Sequence, residues 1–162
     1  MGKRRVVVTG AAGYVAGRML PALRQRYDTV LLDAKELDRA GEQVEDVERV
    51  DLLNRDRAAY RPYFAGADAV VHCGHVQTGR GEDRFWNESD NITMVHNVLR
   101  ACQDEGVRRA VIISSNHAAD YYENLIWSGR MDFVDAGMLP LSDNFYGWAK
   151  ATYEHLGFVF AT

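Results

Sequence analysis

The sequence predicts an α/β fold, a doubly wound parallel sheet of about five strands with helices on both faces in a three-layer α/β/α arrangement. Two observations carry this prediction. Short apolar runs alternate along the chain with longer amphipathic stretches, as strands and helices alternate in βαβ units. A glycine-rich turn also follows the first apolar run directly, which is typical of the first strand-to-helix connection in such sheets.

The strands are predicted where short runs are rich in valine, isoleucine or leucine, at residues 5–9, 29–33, 46–51, 69–73 and 109–114. Amphipathic spacing predicts helices at residues 13–26, 55–64, 88–105 and from an N-cap at Ser142 or Asp143 towards residue 160. Residues 119–141 are aromatic-rich and interrupted by glycine and proline. They are predicted to form a loop or a short helical excursion that covers a site; the alternative is that they only pack on the surface.

Composition limits the classes of function. The chain has 162 residues, 47% apolar and 26% charged, and we predict a single domain over residues 1–162. A formal charge of −4 disfavours a nucleic-acid partner. No apolar run approaches the roughly 20 residues of a membrane span, and we expect no export signal, because the first apolar run breaks at Thr9 and Gly10. Cys73 and Cys102 lack CxxC spacing, so we expect a cytoplasmic protein. The histidines show no zinc-ligand pattern, so no metal is expected.

The turn after the first strand has the chemistry of a dinucleotide-binding loop and indicates a Rossmann-like fold. Gly10 permits the tight turn, Gly13 lets the backbone approach a pyrophosphate, and the first amides of the next helix receive the anion. Asp33 ends the second strand, where a carboxylate accepts hydrogen bonds from the adenosine ribose and repels a 2′-phosphate. The pattern predicts NAD in preference to NADP. The alternative is that Asp33 is only a solvated acid.

Tyr146 and Lys150 lie four residues apart in the predicted last helix, so their side chains share one face. A lysine ammonium beside a phenol favours the phenolate, which can take a proton from an alcohol while a hydride leaves the adjacent carbon. The spacing by itself is common, and a core tyrosine with a surface lysine is the alternative. Together with the glycine-rich turn, the pair indicates a redox enzyme.

Several segments together resemble the extended short-chain dehydrogenase/reductase family, the NAD-dependent epimerase/dehydratase group, over nearly the whole chain. The turn at residues 9–17 looks like the family's TGxxGxxG loop, with Ala16 at the position of the third glycine. Residues 51–52, 70–74 and 91–99 are similar to the family's acidic-plus-apolar pair near adenine, its VVHLA/G strand and its NxxGTxNVL helix. The string SSNH at residues 114–117 is most similar to the uronate dehydrogenase branch.

The resemblance implies a role for each matched residue. Ser115, Tyr146 and Lys150 would be catalytic, with the Ser115 hydroxyl polarising the substrate oxygen. The residues implied in cofactor binding are Gly10, Ala12, Gly13, Tyr14, Val15, Asp33, Asp51, Leu52, Cys73, Gly74, His75, Asn91, Ser114, Tyr146 and Lys150. Asn116 and His117 would contact the substrate, as would Gln77, which stands where the uronate branch has a serine.

The implied function is an NAD-dependent oxidoreductase acting on a sugar or sugar-acid hydroxyl. Two alternatives stay open, a nucleotide-sugar epimerase or dehydratase with the same Tyr/Lys/Ser set, and a non-catalytic NAD-binding module. Family members usually extend well beyond this length, so we expect the C-terminal substrate-binding part to be missing and the fifth strand to be an open edge. We also expect a homo-oligomer, because helices near residues 91–105 and 144–160 commonly form a dimer interface in this family.

Overall fold

The computed structural model describes residues 2–77 and 83–162 of the chain. The chain forms two compact units, which are described separately below. The first contains the residues up to His75 together with Thr93–Ile113, and the second contains Val76–Ile92 and Ser114–Thr162. The predicted organisation as a single domain stays a prediction. None of the helices in the described part of the chain is long and apolar enough to cross a membrane.

The first unit is built on a parallel sheet of five strands in the order β3-β2-β1-β4-β5. The strands are β1 (Arg5–Thr9), β2 (Asp28–Asp33), β3 (Val47–Arg49), β4 (Ala69–His72) and β5 (Ala110–Ile112). This arrangement confirms the predicted doubly wound parallel sheet. The third and fifth strands are shorter than predicted, and within the described residues β5 pairs only with β4, so it forms one edge of the sheet.

Alternation of side chains along β1 separates two apolar cores, one on each face of the sheet. Val6 and Val8 face a core that includes Ala16 and Leu20 of the helix α1 (Tyr14–Arg26). Val7 faces the opposite core, where the packing partners are Leu32, Val50, Leu52, Tyr60, Phe64, Val70, Met94, Val98, Ala101 and Cys102. Part of the helix α2 (Arg84–Asp104) thus covers one face and α1 covers the other, as the three-layer prediction requires.

Two helical segments of this region differ from the prediction. α2 begins at Arg84 rather than near residue 88, because the Asp83 side chain accepts a hydrogen bond from the backbone N–H of Phe85 at 2.9 Å and starts the helix earlier. Residues 55–64 form two short 3-10 helices, Arg57–Ala59 and Arg61–Phe64, instead of one helix. The non-helical backbone of Tyr60 separates them.

The second unit contains a 3-10 segment at Asn116–Tyr122, a short helix α3 (Glu123–Trp127) and the long helix α4 (Phe145–Ala161). The N-cap of α4 is Asn144, so the prediction of Ser142 or Asp143 was wrong. The Asn144 side chain accepts a hydrogen bond from the Gly147 N–H at 2.9 Å. The Ser142 hydroxyl instead bonds to both backbone groups of Asn144, which shapes the turn before the helix.

Candidate active site

The turn between β1 and α1 is built around a glycine that no other residue can replace without strain. Gly10 has φ +70°, and a Cβ added there would lie 2.7 Å from the Cys73 carbonyl carbon and 2.5 Å from the Gly74 Cα. The backbone of the turn therefore passes directly against the residues that follow β4. Gly13 closes the turn by donating its N–H to the Gly10 carbonyl oxygen at 3.0 Å.

The helix that follows this turn opens without a capping side chain. Gly13 is the N-cap of α1, no side chain bonds to the first amides, and no acidic residue lies in the first turn. Tyr14 and Val15 are exposed. Backbone N–H groups at such a helix start carry partial positive charge and bind anions. The turn thus fits the diphosphate of a dinucleotide.

The displaced third glycine of the motif has a simple structural account. Ala16 is fully buried in the core between α1 and the sheet. Gly17 lies in α1, and a Cβ added there would meet nothing within 4 Å. Ala16 therefore provides the close packing of the helix on the strand, and its methyl group fits at the position where the motif usually has its third glycine.

Asp33 lies at the end of β2 beside the glycine-rich turn. One carboxylate oxygen accepts a hydrogen bond from the Ala12 N–H at 2.9 Å, and the other accepts one from the Lys35 N–H at 3.2 Å. Asp33 therefore holds the turn in shape, a role that sequence reasoning missed. A carboxylate has about four acceptor positions, so two backbone donors leave capacity for ribose hydroxyls.

The other predicted cofactor residues of the first unit differ in accessibility. Leu52 is buried in the core, and its carbonyl oxygen accepts a hydrogen bond from the Asn97 side-chain amide at 2.8 Å. Asp51 is exposed, and its carboxylate accepts from the Leu53 N–H. The three residues after β4 that were predicted to bind cofactor are half-buried, namely Cys73, Gly74 and His75.

The second unit brings the predicted catalytic pair together on α4. The Lys150 Nζ lies 5.4 Å from the centre of the Tyr146 ring and 4.5 Å from that of Tyr153. Lys150 is only 4% exposed, so the surface-lysine alternative is wrong for this residue. A buried ammonium between two phenol rings is a strong local source of positive potential.

A close backbone approach holds the SSNH segment against this helix. A Cβ at Gly147 would collide with the carbonyl group of His117, whose carbon lies 2.7 Å from the ideal Cβ position. The absence of a side chain at Gly147 thus lets the 3-10 segment pack on α4 next to Tyr146. The His117 and Tyr146 rings meet edge to face, with their centres 5.4 Å apart.

Hydrogen bonds orient the individual side chains of this segment. The Ser115 hydroxyl oxygen accepts the His117 N–H at 3.3 Å. The Ser114 hydroxyl donates to the Glu154 carboxylate at 2.6 Å. The Asp120 carboxylate bonds to the His117 Nδ1 at 2.6 Å, a contact that nothing in the sequence pattern indicated.

Asn116 and Gln77, predicted substrate contacts, are both exposed. Asn91, a predicted cofactor residue, is fully buried in α2. Its side-chain oxygen accepts a hydrogen bond from the Val76 N–H at 2.7 Å, and its side-chain NH₂ donates one to the Val76 carbonyl oxygen at 2.9 Å. Asn91 therefore fixes the chain that leads towards Gln77.

Glu88 is a buried acid that sequence reasoning missed. It is 5% exposed, and its carboxylate accepts hydrogen bonds from the amides of Asn87 at 3.0 Å and Asn91 at 3.3 Å. Burial raises the pKa of the Glu88 carboxyl, while those amides and then the charges of Lys150 and Arg84 act in the opposite direction. No local sequence pattern indicates that Glu88 is buried, because its burial depends on how α2 packs in the second unit.

Comparison with known proteins establishes the family. The model of the NAD dependent epimerase/dehydratase family matches residues 6–158. The chain belongs to this family. Two uronate dehydrogenases are similar to it, that of Pseudomonas syringae pv. tomato at 29% identity over 94% of this chain, and that of Pseudomonas putida at 31% over 93%.

A solved structure of a similar protein has the same fold. A uronate dehydrogenase variant from Agrobacterium tumefaciens complexed with NAD is 28% identical, with a TM-score of 0.77 over 98% of this chain and 56% of that one. The chain spans about half the length of these relatives, 52% and 53% of the two Pseudomonas proteins. Across the described residues, no group of three or more His, Cys, Asp or Glu side chains could hold a metal ion.

Proposed function

We propose that this chain carries the nucleotide-binding and proton-relay parts of an NAD-dependent oxidoreductase that acts on a sugar or sugar-acid hydroxyl, as in the uronate dehydrogenases. The observation that carries the proposal is the buried Lys150 ammonium beside Tyr146, whose ring contacts His117 of the SSNH segment. Burying a lysine ammonium costs free energy unless a nearby negative charge compensates it. A neighbouring tyrosine that ionises during the reaction supplies such a charge.

The glycine-rich turn supports NAD as the cofactor. The tight backbone at Gly10 and the uncapped start of α1 would hold the diphosphate through N–H groups. Asp33 would accept hydrogen bonds from the ribose and disfavour a 2′-phosphate. Bound NAD would supply the hydride acceptor. The remaining cofactor residues implied by the family resemblance stay part of this proposal.

In the proposed reaction, the Tyr146 oxygen removes the proton of the substrate hydroxyl. The Lys150 charge stabilises the phenolate form that this step requires, and the Ser115 hydroxyl donates a hydrogen bond to the same substrate oxygen. Ser115 is favoured over Ser114 because the Ser114 hydroxyl donates to the Glu154 carboxylate at 2.6 Å, whereas the Ser115 hydroxyl donates to the Asn116 side-chain oxygen only at 3.4 Å.

The SSNH segment supports an acidic sugar as the substrate. His117 lies beside Tyr146 and is held by Asp120, and an imidazole so oriented can present Nε2 to a carboxylate or hydroxyl. Asn116 and Gln77 are proposed as further substrate contacts. The second candidate is a nucleotide-sugar epimerase or dehydratase, favoured by the description of the matching family model.

The decisive experiment measures NADH formation by the purified chain with NAD and a panel of uronic acids. Tyr146→Phe should lower kcat/KM by about 100-fold or more and leave NAD affinity nearly unchanged. The matched control is Tyr121→Phe, an exposed tyrosine of the same unit, which should retain full activity.

Three results would contradict the proposal in different ways. Turnover that persists in Tyr146→Phe refutes the relay. Tightly held NAD with epimer formation and no net NADH favours the epimerase. NAD binding without any turnover indicates a non-catalytic module.

We further propose that the protein is a cytoplasmic homo-oligomer in which α4 contributes to the interface. Phe145, Trp148, Phe158 and Val159 are all apolar and exposed on this helix, with Phe158 at 66%. Light scattering should give a mass above that of one chain. Phe158→Asp should lower that mass, and Trp127→Asp, at an exposed position on α3, should not. A wild-type monomer would refute this part of the proposal.

A further inference from the structure

A sheltered carboxylate of the second unit contacts one of the proposed substrate residues. The Asp120 side chain is only 12% exposed, and one of its oxygens lies 2.6 Å from the Nδ1 of His117. An ionised carboxylate can only accept hydrogen bonds, so the proton in this contact belongs to Nδ1. The hydrogen bond to Asp120 therefore sets which nitrogen of the His117 ring is protonated.

The same carboxylate oxygen also connects His117 to the helix that carries Tyr146. It accepts a second hydrogen bond, from the side-chain amide of Asn144 at 3.0 Å. Asn144 is the N-cap of α4, where its side-chain oxygen accepts the Gly147 N–H. A single acceptor atom thus links the 3-10 segment to the start of α4 and holds the imidazole in a fixed orientation beside that helix.

The Nε2 of His117, on the other side of the ring, is the nitrogen left for a ligand. None of the hydrogen bonds within the described residues uses it, and the His117 side chain is 50% exposed. A protonated imidazole donates from both nitrogens. Because Nδ1–H is engaged by Asp120, a second proton on Nε2 is available to an acceptor such as a carboxylate.

The groups that face this pair come from α4 and from the turn before it. The Tyr146 ring meets the His117 ring edge to face, with their centres 5.4 Å apart. The Asp143 carboxylate accepts a hydrogen bond from the Asn144 amide at 3.0 Å and belongs to an exposed residue. Asp120 is thus the acid in direct contact with the imidazole, and its negative charge stabilises a positive charge on the ring.

We propose that Asp120 is a positioning residue that makes His117 a specificity-determining contact for an acidic sugar. The Asp120 carboxylate holds Nδ1–H, stabilises positive charge on the ring and leaves Nε2–H to donate to the carboxylate of the substrate. The inference rests on the function proposed above, and it gives a physical reason for preferring a sugar acid to a neutral sugar. Asp120 itself acts only through His117.

The first arm of the test needs no turnover. With ¹⁵N-labelled histidine, the ring signals report which nitrogens are protonated, and the signals of His117 are those that disappear in His117→Asn. At about pH 8, where a free imidazole is mostly neutral, Nδ1 of His117 should be protonated in the wild type. In Asp120→Ala the proton should leave Nδ1. The control is Asp132→Ala, which removes an exposed acid of the same unit and should leave the signals unchanged.

The second arm measures kinetics with NAD and either a uronic acid or the corresponding neutral sugar. In Asp120→Ala the KM for the uronic acid should rise roughly tenfold while kcat stays within about threefold, because the imidazole is neither held nor charged. For the neutral sugar, kcat/KM should stay within about threefold of the wild type. Asp132→Ala should match the wild type with both sugars.

A conservative variant separates orientation from charge. Asp120→Asn keeps the shape of the side chain, and its amide oxygen can still accept the Nδ1–H of His117. Nδ1 should therefore stay protonated. The KM for the uronic acid should still rise, by about threefold, because the counter-charge is gone. This variant also carries the test if Asp120→Ala does not fold, and an unchanged KM in an active Asp120→Asn enzyme would refute the role of the charge.

The possible failures are distinguishable. A wild-type His117 without a proton on Nδ1 overturns the proposal, as does an unchanged KM for the uronic acid in an active Asp120→Ala enzyme. A lower free energy of unfolding in Asp120→Ala with wild-type kinetics would show a purely structural role and would overturn it too. A protonated Nδ1 in a protein that turns over no sugar leaves the Asp120–His117 pair standing, but it refutes the proposed function and the role of Asp120 in specificity.

Discussion

Replacement of Gly10 by alanine tests the central feature of the glycine-rich turn. Gly10 has φ +70°, where an alanine costs roughly 1–2 kcal/mol. The new Cβ would also lie 2.5 Å from the Gly74 Cα, about 1 Å inside ordinary carbon–carbon contact. Because the obstacle is backbone, β1 or the end of β4 must move, and such overpacking costs roughly 1–3 kcal/mol. The expected loss of unfolding free energy is therefore about 2–5 kcal/mol.

The assay is urea unfolding followed by circular dichroism, with Gly17→Ala as the control. Gly17 lies seven positions along the same motif, inside α1, where an added Cβ meets nothing within 4 Å. Alanine is a better helix former than glycine, so Gly17→Ala should be neutral or stabilise the protein by up to about 1 kcal/mol. If Gly10→Ala differs from Gly17→Ala by less than about 1 kcal/mol, the reasoning about the turn is refuted.

Calorimetric titration with NAD separates folding from binding in the same two variants. At a temperature where both are folded, Gly10→Ala should bind NAD at least about tenfold more weakly, because the displaced turn no longer presents its N–H groups in register. Gly17→Ala should bind as the wild type does. Equal affinity in all three proteins would show that the diphosphate does not bind at this turn.

The remaining predictions concern the second unit and the core. Gly147→Ala should lower the free energy of unfolding in urea by about 2–4 kcal/mol, because the added Cβ would collide with the His117 carbonyl. The control is Gly157→Ala, where an added Cβ meets open space, and it should be neutral or stabilising. Similar unfolding free energies for the two variants would contradict the close approach at Gly147. Asn144→Ala should cost about 1 kcal/mol through loss of the α4 N-cap, and an unchanged urea midpoint would exclude that cap. Burial raises the pKa of the Cys102 thiol to about 12, so iodoacetamide should label it at neutral pH only after unfolding, and fast labelling of the native protein would contradict its burial.

Much of the site could be predicted because its signals are local. The Gly10 turn, the acid at the end of β2 and the Tyr146–Lys150 spacing each depend on residues close together in sequence, and the structure places all of them on the predicted elements. The doubly wound sheet was predictable for the same reason, since periods of apolar residues report which face of an element is buried.

The parts that could not be predicted depend on contacts between residues far apart in sequence. Asp33 bonds to the Ala12 N–H across 21 residues. The collision that requires glycine at position 147 comes from the His117 backbone. No local rule connects such positions.

The amino-acid sequence by itself determined the order of strands and helices, the glycine-rich turn and the family to which the chain belongs. Tertiary structure alone decided that Lys150 and Glu88 are both buried. The physical reason is that burial and the pairing of charges are properties of assembled surfaces. The type of a side chain sets the interactions that it can make, and its neighbours in the folded structure determine which of those interactions form.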